Sequence, residues 1–334
     1  MPNSPKSRSV EPRADRVLPG VWRLRLPLPW PGVPHGNAWA ITSGEGFVLF
    51  DTGIGGKGRM AQLERALGQA AFEIEDCKLV VCTHSHVDHF GNAAPIAERA
   101  GCEVWVHPAW GHVRKLVDDP DAALDARIEV ARMSGVPAEG LELYEKSRRG
   151  AETGIDVLPA PDRDLLPGVE IETDLGNWQV HETPGHAPSH VCLHQPERKL
   201  LISGDHLLGR ISLFFDQGHT PDPVGEFLGG LDEIEPLEID LCLSGHGRPF
   251  RDVQAKIAAN RSEVAGQLGR VRDSLAAGEK TAFEVVPDLL GDDLNPAAAV
   301  WGLQLVLAYF DHLESAGQAE PVRGTDPLRW RLRG

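Results

Sequence analysis

Thr83-His84-Ser85-His86-Val87-Asp88-His89-Phe90-Gly91 places three histidines and an aspartate within six residues. Neutral imidazoles and a carboxylate crowded together make poor core material. They make good ligands for borderline-soft divalent metals, zinc above all. More ligand-type residues stand far along the chain, as His186 after Thr183-Pro184-Gly185, Asp205 after Ser203-Gly204 and His246 after Ser244-Gly245. The seven candidates, His84, His86, Asp88, His89, His186, Asp205 and His246, exceed what one tetrahedral zinc takes. They suit two metals sharing a carboxylate.

Each candidate follows a stretch that reads as a strand. The cluster follows Leu79-Val80-Val81-Cys82, a buried apolar run. Asp205 follows Leu200-Leu201-Ile202, His246 follows Leu241-Cys242-Leu243, and His186 follows the strand Trp178 to Glu182 and a Pro-Gly break. Several strands that end by presenting a ligand imply one face where strand ends meet.

These residues resemble the metallo-β-lactamase superfamily. Its signature H-x-H-x-D-H is His84-Ser85-His86-Val87-Asp88-His89, and Phe47-Val48-Leu49-Phe50-Asp51-Thr52-Gly53 resembles its earlier strand and Asp-x-Gly turn. His186, Asp205 and His246 match the later ligand positions in order, so the resemblance runs over roughly residues 20 to 250. It implies an α/β fold, a four-layer αββα sandwich. It also implies one metal on His84, His86 and His186, and a second on Asp88, His89 and His246, with Asp205 bridging. Asp51 would steady the histidine loop from outside the ligand set, as outer carboxylates commonly do.

The resemblance further implies a metal-dependent hydrolase in which a metal-bridging hydroxide attacks the substrate. Asp88 would orient it and pass a proton onward. Asp205 points to a branch: hydroxyacylglutathione hydrolases and their relatives have aspartate there, whereas antibiotic-cleaving members of the best-known branch have cysteine. The expected substrate is a small thioester or related acyl compound. The expected cofactors are two divalent metal ions, Zn2+ first, with Fe or Mn as alternatives. A lactonase, an endoribonuclease and a mononuclear-iron persulfide dioxygenase are the competing readings. The last would use only His84, His186 and Asp205.

The bulk numbers agree with a globular enzyme. The chain has 334 residues, 41% hydrophobic and 25% charged, enough for a sizeable core. A net charge of −16 disfavours nonspecific attraction to nucleic acid or anionic membranes. The five cysteines (Cys77, Cys82, Cys102, Cys192, Cys242) form no C-x-x-C pair and read as small buried hydrophobes in a reducing compartment. No apolar run reaches the ~20 residues of a membrane span, and Met1 to Arg16 lacks the apolar core of a secretory signal. The expectation is a cytoplasmic protein with no membrane and no nucleic-acid partner, and a homodimer as an option.

Residues 1–16 read as a disordered tail and residues 17–250 as the catalytic domain. The Gly53–Gly58 stretch lacks a Gly-Lys-Ser/Thr ending, so it reads as a flexible turn over the site rather than a phosphate loop. Residues 109–165 read as a helical insertion beside the site. It contains one histidine, His112, and no cysteine, so it is expected to set substrate choice rather than bind metal. The remaining histidines read as structural or exposed, with His206 and His219 nearest the cleft. Residues 251–334 suggest three helices and a hairpin, a small α-rich, winged-helix-like C-terminal domain. Its third helix carries no Lys or Arg, which argues for packing or dimerisation rather than base readout. Trp301, Tyr309 and Phe310 read there as core.

Overall fold

Period-two alternation explains how the layers stack. In the strand Gly46–Phe50, Val48 and Phe50 face one apolar cluster while Phe47 and Leu49 face another. In Val191–Gln195, Val191 and Leu193 join the first cluster while Cys192 joins a third. Strands buried on both faces must be covered on both. The structure, a computed structural model, describes residues 11–30, 32–291 and 296–334.

The first sheet runs in the spatial order β1 (Arg13–Leu18), β2 (Val21–Trp30), β3 (Val33–Ser43), β4 (Gly46–Phe50), β5 (Cys77–Val81), β6 (Glu103–Val106) and β7 (Arg163–Asp164). Its first four strands pair antiparallel and the rest parallel. The second sheet contains β8 (Glu170–Thr173), β9 (Gly176–Glu182), β10 (Val191–Gln195), β11 (Leu200–Gly204) and β12 (Leu241–Ser244), with β12 at one edge and β8 at the other. A small third sheet joins β13 (Lys280–Thr281), β14 (Ala319–Val322) and β15 (Arg329–Leu332), with β15 central.

The helices are α1 (Arg59–Gln69), α2 (Val87–Phe90), α3 (Ala93–Ala100), α4 (Arg114–Asp118), α5 (Pro120–Met133), α6 (Ala138–Arg148), α7 (Pro223–Ile234), α8 (Val253–Ala276), α9 (Ala282–Leu290) and α10 (Pro296–Ser315). Trp39, Phe50 and Val81 of the first sheet meet Trp178, Leu193 and Ile202 of the second to form the central layer. Leu63 and Leu67 of α1 and Ile96 of α3 cover the outside of the first sheet. Phe227 and Leu231 of α7 and Ile257 and Val264 of α8 cover the outside of the second. The αββα sandwich expected from the sequence is the observed fold.

Three boundaries differ from the sequence expectation. The tail does not extend to residue 16, because Arg13–Leu18 pairs with β2 from Arg13 onward. Residues 1–10 lie outside the described residues. The insertion ends before residue 163, because Arg163 and Asp164 extend the first sheet and Leu165 enters the central layer. Residue 251 marks a change of composition, not a gap between cores. One apolar cluster runs from Cys192 and Leu201 through α7 into α8, α9 and α10.

In that C-terminal region, Thr281 and Glu284 cap α9 reciprocally, with Glu284 N–H donating to Thr281 Oγ1 (3.2 Å) and Thr281 N–H to Glu284 Oε2 (2.8 Å). Tyr309 and Phe310 are fully buried and Trp301 half-buried, as core residues should be. The far end of α5 docks here, since Phe283 N–H donates to Ser134 O (3.0 Å) and Leu328 N–H to Met133 O (2.8 Å). Much of the insertion is therefore anchored to the C-terminal region, away from the strand ends.

Candidate metal centre

The ends of β4, β5, β11 and β12 meet on one face. Two glycines before the late ligands have a physical reason there. Gly204 sits at φ 45°, and an added Cβ would lie 2.8 Å from Thr83 Oγ1. A Cβ at Gly245 would lie 2.7 Å from His89 Cε1 and collide with the Asp205 carboxylate. Only glycine allows the backbone so near the ligands. The Gly53–Gly58 turn is pinned rather than free: Asn92 Nδ2 donates to Thr52 O and Ile54 O, and Gly55 N–H donates to Gly154 O (2.7 Å).

Asp51, buried and in the left-handed region at φ 60°, organises the histidine loop. Its carboxylate accepts from Thr83 N–H (2.8 Å), from Thr83 Oγ1 (3.0 Å) and from His89 Nδ1 (2.8 Å). Thr83 Oγ1 in turn lies 3.0 Å from His84 Nδ1. The other imidazoles are held similarly. His186 Nδ1 lies 3.2 Å from Phe214 O, and His246 Nδ1 lies 3.1 Å from His35 O. A carbonyl or carboxylate can only accept, so these partners assign the proton to Nδ1 and turn Nε2 inward. His86 is reversed: its Nδ1 points in, 3.0 Å from His186 Nε2, while Nε2 faces outward to Asp216 Oδ2 at 3.4 Å.

All seven sequence candidates converge. His84, His86 and His186 form one tight group, Asp88, His89 and His246 another, and Asp205 joins His84 and His89. His246 Nε2 lies 3.2 Å from Asp88 Oδ2 and 3.1 Å from Asp205 Oδ2. His89 Nε2 lies 3.5 Å from both Asp88 Oδ2 and Asp205 Oδ1, and His186 Nε2 lies 3.6 Å from Asp205 Oδ2. Four buried atoms here have no hydrogen-bond partner: His84 Nε2, His89 Nε2, Asp88 Oδ2 and Asp205 Oδ1. Burying unpaired polar atoms costs about 1–3 kcal/mol each. Their inward convergence is the donor set a cation would satisfy.

The electrostatics agree. Burial pushes the His84 imidazole well down and that of His186 to about 3, so both are neutral, the form in which an imidazole can ligate a metal. Burial opposes charge on His89 and His246 too. Asp88, Asp205 and Asp51 overcome it at His89, which rises well above the usual range, and Asp205 and Asp88 lift His246 to about 10. A proton and a divalent ion thus compete for the same Nε2 atoms. Asp88 and Asp205, despite burial, are held well below the usual carboxylate range by the imidazoles beside them.

Sequence reading did not place Asp216, His112 or His190 at the centre, and it set His219 only near the cleft. Asp216 stands against His86, with His112 Nε2 at 3.5 Å and His219 Nε2 at 3.7 Å. His112, from the insertion, thus reaches the edge of the centre, and His86, His112 and Asp216 form a further compact group. The start of the insertion lies beside the site, as expected: Pro108–Val113 folds over the histidine loop, where Trp110 O and His112 approach Ser85 Oγ. His190, expected to be structural, is buried and accepts Asp205 N–H at Nε2 (3.1 Å) while Nδ1 meets Thr183 Oγ1 (2.9 Å). Glycines do precede two of them, Gly111 before His112 and Gly218 before His219, but none has the apolar strand closed directly by a Ser-Gly or Pro-Gly pair that marks His186, Asp205 and His246.

The family profile described as Metallo-beta-lactamase superfamily matches residues 31–246. The chain belongs to the metallo-beta-lactamase superfamily. Among curated members, the probable metallo-hydrolase YqjP of Bacillus subtilis is 26% identical over 261 residues, covering 75% of this chain and 79% of that protein. An acyl-coenzyme A thioesterase of Bos taurus is 25% identical over 70% of this chain and 81% of its own length. A hydroxyacylglutathione hydrolase of Cereibacter sphaeroides is 29% identical over 44% of this chain and 56% of its own. A beta-lactamase domain protein of Burkholderia ambifaria superposes with a TM-score of 0.81 at 27% identity, covering 98% of this chain and 96% of that one. A metallo-beta-lactamase family protein of Thermus thermophilus gives 0.80 at 25%, covering 95% and 100%. Both structural matches span nearly the whole of this superfamily member, its C-terminal helices included. Hydrolase and metal-binding character come with the superfamily, and the His/Asp groups fit it. No helix among the described residues is long and apolar enough to cross a membrane.

Proposed function

We propose that this chain is a dinuclear metal-dependent hydrolase of a thioester or related acyl substrate. The observation that carries the reading is the set of four buried, unpartnered atoms on His84, His89, Asp88 and Asp205, set among imidazoles whose opposite ring nitrogen has an outward partner. His84, His86 and His186 would hold one ion, Asp88, His89 and His246 the other, and Asp205 would serve both. Aspartate at 205 and the names of the thioesterase and hydroxyacylglutathione hydrolase relatives favour an acyl–sulfur bond.

Two divalent ions, zinc first, would supply Lewis-acid polarisation of the substrate oxygen and a lowered water pKa. The protein's own residues do the rest. The Asp51–Thr83–His84 and Asp51–His89 bonds hold the rings in one tautomer before substrate arrives. Asp88, nearly buried and ionised, turns Oδ2 inward, where it can orient water and take its proton. Water's oxygen bonds to the acyl carbon, the carbon–sulfur bond breaks, and the proton carried at Asp88 Oδ2 passes to the leaving sulfur. An open surface cleft of about 500 Å3, lined by Gln217, His219, Thr220, Asp311 and Glu314, lies next to Asp216 and would offer polar room for the acyl or thiol portion.

The test is metal analysis of protein purified without chelator, followed by kcat/KM on a panel of thioesters, lactones, phosphodiesters and persulfides. Two ions per chain and a preference for thioesters are expected. A single iron, retained in His246→Ala, with oxygen-dependent persulfide turnover would overturn the reading.

A further inference from the structure

Five imidazoles face the centre, and four have an evident device that sets the ring. His84 uses Thr83, His89 uses Asp51, His186 uses a backbone carbonyl and so does His246. His86 alone presents Nδ1 inward, so its outward group is Nε2–H. The nearest acceptor is Asp216 Oδ2, at 3.4 Å, from the irregular segment between β11 and α7.

That segment is tied to the same place. His186 Nδ1 donates to Phe214 O (3.2 Å), and Asp216 N–H donates to His186 O (3.2 Å). Phe214 also sets its ring against both imidazoles, 5.8 Å from His86 and 5.6 Å from His186 between centroids. Residues 214–216 thus brace the two histidines that the proposed first ion shares.

We propose that Asp216 is a positioning residue for that ion. Its carboxylate accepts the Nε2 proton of His86, fixing the tautomer that leaves Nδ1 free to ligate. It performs for His86 what Asp51 performs for His89. The proposal rests on the dinuclear reading above. His112 Nε2 and His219 Nε2 approach the same carboxylate from outside, at 3.5 and 3.7 Å.

The experiment compares Asp216→Ala, Asp216→Leu and Asp216→Asn with the wild-type chain. Zinc affinity is read by chelator competition, and ligand geometry by the visible spectrum of the cobalt-loaded protein. Removing an outer partner of a metal-binding histidine typically lowers affinity about 10–100-fold. Alanine and leucine are expected to weaken one of the two ions by that factor and to alter the cobalt bands. Asparagine, whose Oδ1 still accepts, is expected to recover most of both. Leucine fills the volume without an acceptor, so the outcome does not hang on one variant's folding. Wild-type affinity for both ions and an unchanged spectrum in a folded alanine or leucine variant would overturn the proposal. So would a third ion in the wild type that these variants lose while the other two stay unchanged. A wild-type chain holding fewer than two ions would instead overturn the dinuclear reading, and this proposal with it.

Discussion

The inner centre and the rim around Asp216 use the same side chains under different constraints. Inside, Asp51, His84 and His89 are wholly buried, and each imidazole's Nδ1 has an assigned partner. At the rim, Asp216 and His219 keep 20% and 38% of their side-chain surface exposed, and the nitrogens stand 3.4–3.7 Å from the carboxylate. The inner network leaves His84 Nε2, His89 Nε2, Asp88 Oδ2 and Asp205 Oδ1 without hydrogen-bond partners, which a cation could satisfy. The rim is open to water, so its groups can adjust. The contrast is sharpest between the two orienting carboxylates, Asp51 buried at 2.8 Å from His89 and Asp216 partly exposed at 3.4 Å from His86.

The comparison breaks most sharply at Asp88. Asp88→Asn keeps the shape but loses the charge and the proton acceptor, so kcat should fall about 10²–10⁴-fold. Turnover measured on the best thioester, with circular dichroism to confirm folding, checks it; near-wild-type activity would remove Asp88 from the chemistry. Next comes Asp51→Ala, which strips His89 and Thr83 of a common acceptor. Metal affinity should drop about 10–100-fold by chelator competition.

Away from the centre, effects should reach stability but not metal. Gly135 sits at φ 90°, and an added Cβ would lie 2.6 Å from Thr281 Oγ1. Gly135→Val should therefore cost about 1–3 kcal/mol in urea unfolding. Its metal content should stay at the wild-type level; a loss of metal would tie this docking point to the centre.

The smallest effect is expected at Asp311, on the cleft wall. Burial first, then Glu314 and Asp222, push its carboxyl up to about 6, while the hydrogen bond from Gln217 opposes. The folded state thus binds the proton more tightly than the unfolded state. The stability this contributes is full below the ordinary value of 3.8 and is lost as pH rises through about 6. Melting temperature against pH should be flatter for Asp311→Asn over this window. An identical profile would show that Asp311 titrates normally.

Several elements are legible before folding. Residues 109–165 read as helical and contain the helices Pro120–Met133 and Ala138–Arg148, and Thr281 and Glu284 have the spacing of the reciprocal cap they form. Each is a local signal, carried within a few residues. Strand β1 reads as tail because Arg13-Ala14-Asp15-Arg16 is polar, and only its pairing with β2 makes it a strand. The Gly53–Gly58 turn reads as flexible because the bonds that pin it come from Asn92 and Gly154, far along the chain.

The sequence by itself determined the seven candidate ligands and their strand-end settings. Ligand type and apolar run are written in adjacent residues, and a closing glycine stands directly before His186, Asp205 and His246. Tertiary structure alone decided that His86 turns its ring the other way, that Asp216 meets it from 130 residues further on, and that His112 leaves the insertion to join them. Such contacts depend on where loops cross in space, and a crossing imposes no period, spacing or composition on either segment.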